Sequence, residues 1–359
     1  MPELVLKSIS KRYGDVQALE EINLEIKDGE FCVIVGPSGS GKTTLLNIIA
    51  GFIKPDKGEV IVAGKPFTHL NPRERNIGMV FQDIGLFSHM SVRKNIAFGL
   101  EIKSQFKKDI DRRVEEIARR LKIEKLLDKN PRILSGGEAQ RVAIGRTLIT
   151  EPSFFLFDEP LGNLDANLRA EMLTEIKKLH MSLKKTFIYV THDQEQALSA
   201  ATLVVIMNNG KILQTGHPKE IYNRPENIFV AEFYGVSPMN LIDGVITPQQ
   251  EGTFFTGAGL YVNIKGYHQL EKLNVTLGIR PADIIILEDK NSGDGSGIIN
   301  SVETLGDKNQ LYITLEQEKI ILAISSPKTR PQTGKKVRIK LKEDKIFLFD
   351  RKSGWRLYP

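Results

Sequence analysis

The sequence predicts an α/β domain followed by a smaller all-β domain. Three observations predict it. Short apolar runs rich in Val, Ile and Phe end in Gly or polar residues at Phe31 to Val35, Phe154 to Phe157 and Thr186 to Thr191. Strands buried on both faces of a parallel sheet have this texture. Helical periodicity separates them: between Asp109 and Ile123, the apolar positions Ile110, Val114, Ile117 and Leu121 recur with Arg and Glu between. From Asn240 onward that periodicity fades, and strand-like runs alternate with turn clusters such as Asp289 to Gly297.

The chain has 359 residues, which at roughly 150 per domain makes two domains, with three the upper bound. The change of texture sets the expected boundary at 1–235 and 236–359, with a short join at Tyr234 to Met239. Apolar residues are 41% and charged residues 26%, which excludes wholesale disorder. Fifty Lys and Arg against 44 Asp and Glu give a net charge of +6. That excess fits an anionic ligand or a membrane-facing location and is too small to demand nucleic acid. One cysteine excludes a disulfide framework within the chain and fits a reducing compartment. The longest apolar runs, such as Leu203 to Met207, are far too short to span a bilayer. The N-terminus has no apolar segment behind a basic start, so a cytoplasmic location is expected.

The first chemistry-bearing element follows the strand at Phe31 to Val35. Gly36-Pro37-Ser38-Gly39-Ser40-Gly41-Lys42-Thr43 matches G-x-x-x-x-G-K-[ST] in full and opens an apolar helix from Thr44 to Phe52. Glycines let backbone N–H groups converge on phosphate oxygens, and the helix start adds partial positive charge. Lys42 can reach β- and γ-phosphates, and Thr43 can place its hydroxyl on Mg²⁺. The loop implies a nucleoside triphosphate but not what is done with it.

Next, Phe154-Phe155-Leu156-Phe157 runs directly into Asp158-Glu159. Asp158 at a strand end can hold Mg²⁺, directly or through water, and Glu159 can polarise a water in line with the γ-phosphate. A glutamate beside the metal-holding aspartate favours hydrolysis over transfer to a second substrate.

Leu134-Ser135-Gly136-Gly137-Glu138-Ala139-Gln140-Arg141 resembles the signature of the nucleotide-binding subunits of ABC transporters. Gln82 after Val80-Phe81, Leu164-Asp165 after the acid pair, and His192 after Val190-Thr191 match that family in order. The resemblance implies an ABC-type P-loop ATPase, with a helical subdomain at about 83–148 and ATP and Mg²⁺ as cofactors. It implies a head-to-tail homodimer in which the loop of one copy, Gly36 to Thr44, faces Ser135, Gly136 and Gly137 of the other. His192 would contact the γ-phosphate, Gln82 would sense Mg²⁺ or the attacking water, Tyr13 would stack on adenine, and Asp165 would lie at the seam. Glu138, Gly145 and Gly162 depart from the family, which more often has Gln, Ala and Ser there. Ser135-x-x-Glu138 also reads as a helix capping box.

Arg75 to Gln82, Phe87 to Val92 and a β-rich C-terminal region resemble the importer branch that includes maltose, glycerol-phosphate, polyamine, iron and sulfate systems. Gly278-Ile279-Arg280-Pro281-Ala282-Asp283, Val302-Glu303, Leu305-Gly306 and Leu348-Phe349-Asp350 look like its transport-associated OB-type fold. This branch implies two separate permease subunits, a solute-binding protein acting indirectly, and a peripheral place on the cytoplasmic face of the membrane. Residues Asp83 to Gly99, with Leu86, Phe87, Met90, Ile96 and Phe98, would grip a permease helix or form the subdomain core. Sugar or sugar-like solutes come first, with polyamine, iron or an oxyanion as alternatives. A soluble nucleic-acid ATPase is the competing class. Against it, Val337, Ile339 and Leu341 alternate with Arg338, Lys340 and Lys342 without stacking aromatics, so this strand reads as a solvated basic face and no nucleic acid is expected.

Overall fold

The computed structural model describes residues 3–102, 106–267, 271–287 and 293–358. Contacts divide the chain into two compact units, Met1–Lys219 and Glu220–Pro359. The division falls earlier than residue 235 because the short helix Ile228–Phe233 belongs with the β-rich unit. Its Ala231 packs with Met239, Phe347 and Phe349. Arg280, buried, donates from Nη1 to the Ala231 carbonyl at 3.0 Å and from Nη2 to the Tyr222 carbonyl at 3.2 Å.

The first unit holds two sheets. A six-stranded sheet runs in the order Lys211–Gly216, Leu203–Asn208, Phe31–Val35, Thr186–Thr191, Phe154–Asp158, Ile77–Val80. All its pairings are parallel except the one between Leu203–Asn208 and Lys211–Gly216. Phe31–Val35, Phe154–Asp158 and Thr186–Thr191 are buried along their whole length, as their unbroken apolar runs require. A four-stranded antiparallel sheet has the order Val16–Ile26, Leu4–Tyr13, Lys57–Val62, Lys65–Pro66. Its Leu6, Ile22 and Val60 share one core cluster with Ile34, Leu46 and Ile188.

Three helices, Val92–Glu101, Lys107–Leu121 and Gly136–Leu148, pack together. The middle helix buries Ile110, Val114, Ala118 and Leu121, the stripe that its periodicity predicts, with Ile117 half-buried. Gly145 sits where the helices cross. A Cβ there would lie 3.1 Å from Leu121 Cδ1 and 3.3 Å from Ile117 Cγ2. This close contact explains a glycine in a helix interior, where it costs about 1 kcal/mol of propensity.

The second unit is antiparallel throughout. A six-stranded sheet is ordered Leu260–Asn263, Gly252–Gly257, Asn240–Gln249, Leu273–Ile279, Phe347–Asp350, Arg356–Leu357. A five-stranded sheet is ordered Ile284–Leu287, Lys336–Leu341, Gly295–Thr304, Asn309–Thr314, Ile320–Ser325. Both feed one core that includes Ile242, Phe255, Leu277, Ile299, Ile313 and Ile339. The turn expected at Asp289 to Gly297 is corrected in part: 288–292 lie outside the described residues, and Gly295 and Gly297 belong to a strand. A Cβ on Gly297 would lie 2.7 Å from the Thr314 carbonyl oxygen, so a close backbone approach, not a turn, accounts for that glycine.

Candidate active site

Strand Thr186–Thr191 lies between Phe31–Val35 and Phe154–Asp158, parallel to both. Parallel strands end on the same side, so Gly36, Asp158 with Glu159, and His192 emerge along one sheet edge. Open α/β sheets hold their ligands at that edge.

Helix Lys42–Ala50 begins with Gly41 as N-cap at φ 99. A Cβ on Gly41 would stand 2.5 Å from the Ala18 carbonyl oxygen, and one on Gly36 would stand 2.2 Å from that of Met207. Both positions therefore demand glycine. Ser38 and Gly39 form the exposed tip of the loop, Pro37 is half-buried, and Ser40 is buried with its N–H donating to the Pro37 carbonyl at 3.2 Å. The first intrahelical bond, Leu45 N–H to Gly41 carbonyl, is 2.9 Å long. It leaves the N–H groups of Lys42, Thr43 and Thr44 as first-turn donors at the positive end of the helix.

Lys42 Nζ donates to the carbonyls of Gly36 and Pro37, each at 2.9 Å. Burial pushes its pKa down, opposed by Glu159 and Asp158. Thr43 Oγ1 donates to Asp158 Oδ1 at 3.2 Å. Burial pushes the Asp158 carboxyl up, and the neighbouring Glu159 adds to that, while the Thr43 hydroxyl and the Lys42 cation pull it back.

Glu159 adopts φ 43, a left-handed conformation that a glutamate holds only where its surroundings impose it. Its N–H donates to the Val190 carbonyl at 3.0 Å, which fixes the turn against the next strand. This aims Glu159 Oε2 at His192 Nδ1, 2.9 Å away. The positions expected of Gln82 and Glu159 meet around Gly162. A Cβ there would lie 3.9 Å from Gln82 Nε2 and 4.0 Å from Glu159 Oε2, so a serine at this position would also fit.

A second cluster forms at two helix starts. Ser135 caps helix Gly136–Leu148: its Oγ accepts from the Glu138 N–H at 3.3 Å, and Glu138 Oε2 accepts from the Ser135 N–H at 2.8 Å. The predicted capping box is therefore formed. The Ser135 N–H holds the Glu138 carboxyl below the usual glutamate range. Asp165 caps helix Ala166–Leu183, its Oδ1 accepting from the Leu168 N–H at 3.0 Å. A Cβ on Gly136 would lie 2.9 Å from Leu164 Cδ2, and one on Gly137 would lie 2.8 Å from Leu168 Cδ1. Among the described residues, no hydrogen bond or ion pair joins this cluster to Gly36–Thr43. Tyr13 ends strand Leu4–Tyr13 half-exposed, with Lys11 Nζ 5.5 Å from its ring centre.

A groove of about 730 Å³ is lined by Phe81, Gln82, Phe87, Phe98, Arg146 and Asp158. The Phe87 and Phe98 rings are 4.6 Å apart. Ile96 is fully buried, so of the five apolar residues expected at Asp83 to Gly99 it belongs to the core.

Three residues that build this region escaped sequence reasoning. Asn95 is fully buried; its Nδ2 donates to the carbonyls of Phe87 and Ser91, and its Oδ1 accepts from the Phe87 N–H. A signal existed, because Asn95 shares a helical face with Val92 and Ile96. Arg146 donates to the carbonyls of Gly85 and Ile84 at 2.8 and 3.1 Å. Arg75 donates to the carbonyls of Ile48, Ile49, Leu70 and Thr68; no local pattern announces it.

The fold and the site together define a P-loop nucleotide-hydrolysing cassette. Residues 19–162 match the ABC transporter family, and residues 277–349 match the TOBE domain. The sn-glycerol-3-phosphate import ATP-binding protein UgpC of Escherichia coli (strain K12) is 41% identical over 361 residues, 99% of this chain and 100% of the relative. UgpC of Shigella sonnei (strain Ss046) is 40% identical over 360 residues, again 99% of this chain and 100% of the relative. Among solved structures, cbiO1 of Clostridium perfringens, part of an ABC transporter complex, is 33% identical with a TM-score of 0.58. It covers 62% of this chain, and the match covers 90% of cbiO1. A dimeric ATP-binding cassette in a post-hydrolysis state with ADP and Pi is also 33% identical, with a TM-score of 0.54 over 60% of this chain and 98% of its own. The chain belongs to the import ATP-binding proteins of the ABC transporters. It is a nucleotide-binding ATPase with a C-terminal OB-type domain. No helix among the described residues is long and apolar enough to cross a membrane.

Proposed function

We propose that this ATPase drives the uptake of a sugar-phosphate-class solute, sn-glycerol 3-phosphate first. It would act through two separate permease subunits from the cytoplasmic face of the membrane, fed indirectly by a solute-binding protein. The observation that carries the mechanism is the convergence of Lys42, Thr43, Asp158, Glu159 and His192 at neighbouring parallel strand ends. Similarity along the whole chain to glycerol-phosphate import proteins supports the solute.

The donor set fits Mg²⁺. Thr43 Oγ1 and Asp158 Oδ1 are hard oxygens 3.2 Å apart, suited to an ion that takes its remaining ligands from phosphate and water. When bound, Mg²⁺ would neutralise developing charge on the phosphates. The first-turn N–H groups of Lys42 to Thr44 would cradle phosphate oxygens, with Lys42 turning from its two carbonyl partners to meet them. Glu159 engages His192 through one carboxylate oxygen, which leaves the other to accept from an attacking water. His192 Nε2 would meet a γ-phosphate oxygen, and Gln82 would orient the water. Tyr13 would stack on adenine.

A second copy would complete the site, bringing Ser135, Gly136 and Gly137 to the γ-phosphate and Asp165 to the seam. The solved dimeric cassette supports this arrangement. The groove at Phe81, Phe87 and Phe98, between the strand side and helices of the 83–148 subdomain, suits a permease helix.

The test is ATP hydrolysis in proteoliposomes that hold this chain with its permease subunits and solute-binding protein. sn-Glycerol 3-phosphate should stimulate turnover several-fold, while maltose, spermidine, ferric citrate and sulfate should not. Stimulation by one of these others and not by glycerol phosphate overturns the solute assignment.

A further inference from the structure

The nucleotide chemistry leaves the basic strand Lys336–Leu341 unused. In the structure it lies next to Ile284–Leu287, the edge strand of the five-stranded sheet. Beside that edge a cavity of about 380 Å³ opens. Its floor is apolar: Ile284, Ile299, Leu311 and Val337 line it, each at most 8% exposed. Arg330, Lys335 and Lys336 stand at its rim, all exposed.

The charge at this rim is one-sided. No Asp or Glu among the described residues lines the cavity. A fourth cation, Lys342, is neutralised by Asp283 Oδ1 at 2.9 Å. Arg330, Lys335 and Lys336 make no ion pair among the described residues. The rim is also held in place. Buried Asn309 donates through Nδ2 to the carbonyls of Ser326 and Thr329, at 3.1 and 3.2 Å. The Thr329 and Ser325 hydroxyls, both lining the cavity, lie 3.0 Å apart.

We propose that this cavity binds a small organic anion with an apolar body, an alkyl carboxylate or alkyl phosphate of about eight carbons, the body being small enough for a cavity of this class. The floor takes the alkyl chain, and each methylene removed from water strengthens binding roughly fourfold. The three cations take the carboxylate or phosphate, whose oxygens accept charge-assisted hydrogen bonds. Neither part suffices alone: a bare inorganic anion leaves the apolar floor wet, and a neutral alcohol leaves the cations without a counter-charge.

The experiment is isothermal titration calorimetry on the full chain with octyl phosphate, octanoate, 1-octanol and inorganic phosphate, all below micellar concentrations and at low salt. At least one octyl anion should bind at one site per chain, at least tenfold more tightly than octanol or inorganic phosphate. The tighter of the two identifies the head group. The exposed-rim variant Arg330→Ala/Lys335→Ala/Lys336→Ala should weaken that binding at least tenfold while its urea midpoint and basal ATPase stay unchanged. Absence of saturable binding by both anions overturns the proposal. So does equal binding of octanol, or binding that the rim variant leaves intact.

Discussion

Replacing Arg75 with alanine should destabilise the nucleotide-binding unit by about 2–5 kcal/mol, because it leaves buried carbonyls without donors at about 1–3 kcal/mol each. Helix Lys42–Ala50 presents the phosphate loop at its start, and its last-turn carbonyls need partners at its end. Arg75, only 2% exposed, supplies them. Its Nη1 donates to the Ile48 and Ile49 carbonyls at 2.7 Å each, Nε to Leu70 at 2.9 Å and Nη2 to Thr68 at 3.0 Å. The guanidinium carbon lies 5.3 Å from the centre of the Phe67 ring. Among the described residues no carboxylate pairs with Arg75; burial lowers its pKa, and carbonyl dipoles with the Phe67 ring face balance the charge. Hydrogen bonds to a charged group contribute about 1.5–3 kcal/mol each. The sum over these partners is offset by several kcal/mol for taking one cation out of water. The negative end of the helix adds up to about 2 kcal/mol. Arg75→Lys keeps the charge but loses the planar fork, and should fall between wild type and alanine. Urea unfolding followed by circular dichroism measures the stabilities, and a fluorescent ADP analogue measures the loop. An alanine variant within about 1 kcal/mol of wild type would refute the reasoning, since surface substitutions typically cost less than that. A lysine variant less stable than alanine would refute it too.

Glu159→Gln should bind Mg·ATP, hydrolyse it at a small fraction of the wild-type rate and elute as a dimer on size-exclusion chromatography; normal turnover would remove Glu159 from the mechanism. Glu138→Gln should leave ATPase activity within a few-fold, because the amide can still accept from the Ser135 N–H. The depressed Glu138 pKa makes its cap contribution full above the ordinary glutamate value and lost as pH falls through the depressed one. The stability difference between Glu138→Gln and wild type should therefore shrink in acid titrations, and a difference that grew toward acid would contradict the cap. Cys32 is fully buried in the strand that feeds the phosphate loop, and burial pushes its thiol well up. Labelling by a disulfide reagent should follow unfolding and slow when ATP is added; rapid labelling of the native chain would mean that this strand opens locally.

The parts of the site that could be read in the sequence are those whose chemistry is contiguous. Gly36 to Thr43 and Asp158-Glu159 each hold their expected chemistry within a few residues, and each follows an apolar run that marks a strand. The bond between His192 and Glu159 and the approach of both Gln82 and Glu159 to Gly162 depend on strand order, which no local pattern encodes. Arg75 was hidden for a related reason: the carbonyls it serves at Ile48 and Ile49 lie 27 and 26 residues away. The domain boundary differed because composition changes where the strands begin, whereas packing draws Tyr222 and Ala231 to Arg280 earlier in the chain.

Gly136 and Gly137 show how one residue can satisfy two readings. The resemblance assigns them to close approach by a second copy, but within this chain their open sides face Leu164 and Leu168. Arg141 strengthens the same junction, pairing with Glu171 at 2.8 Å and Glu175 at 2.9 Å across the two helices. The Ser135 and Asp165 helix starts are thereby held as one block. Loss of activity in Gly137→Ala alone would fit either reading, because the new Cβ would lie 2.8 Å from Leu168 Cδ1. The double variant Gly137→Ala/Leu168→Ala separates them, since it makes room inside the chain for the new Cβ while the added methyl stays on the backbone. Recovery of both urea stability and ATPase activity would make the glycine an internal packing device. Recovery of stability with activity still lost would show that the backbone here must also be bare toward nucleotide. The first result is expected, because the single Cβ that alanine adds points at Leu168 and leaves the helix N–H groups bare.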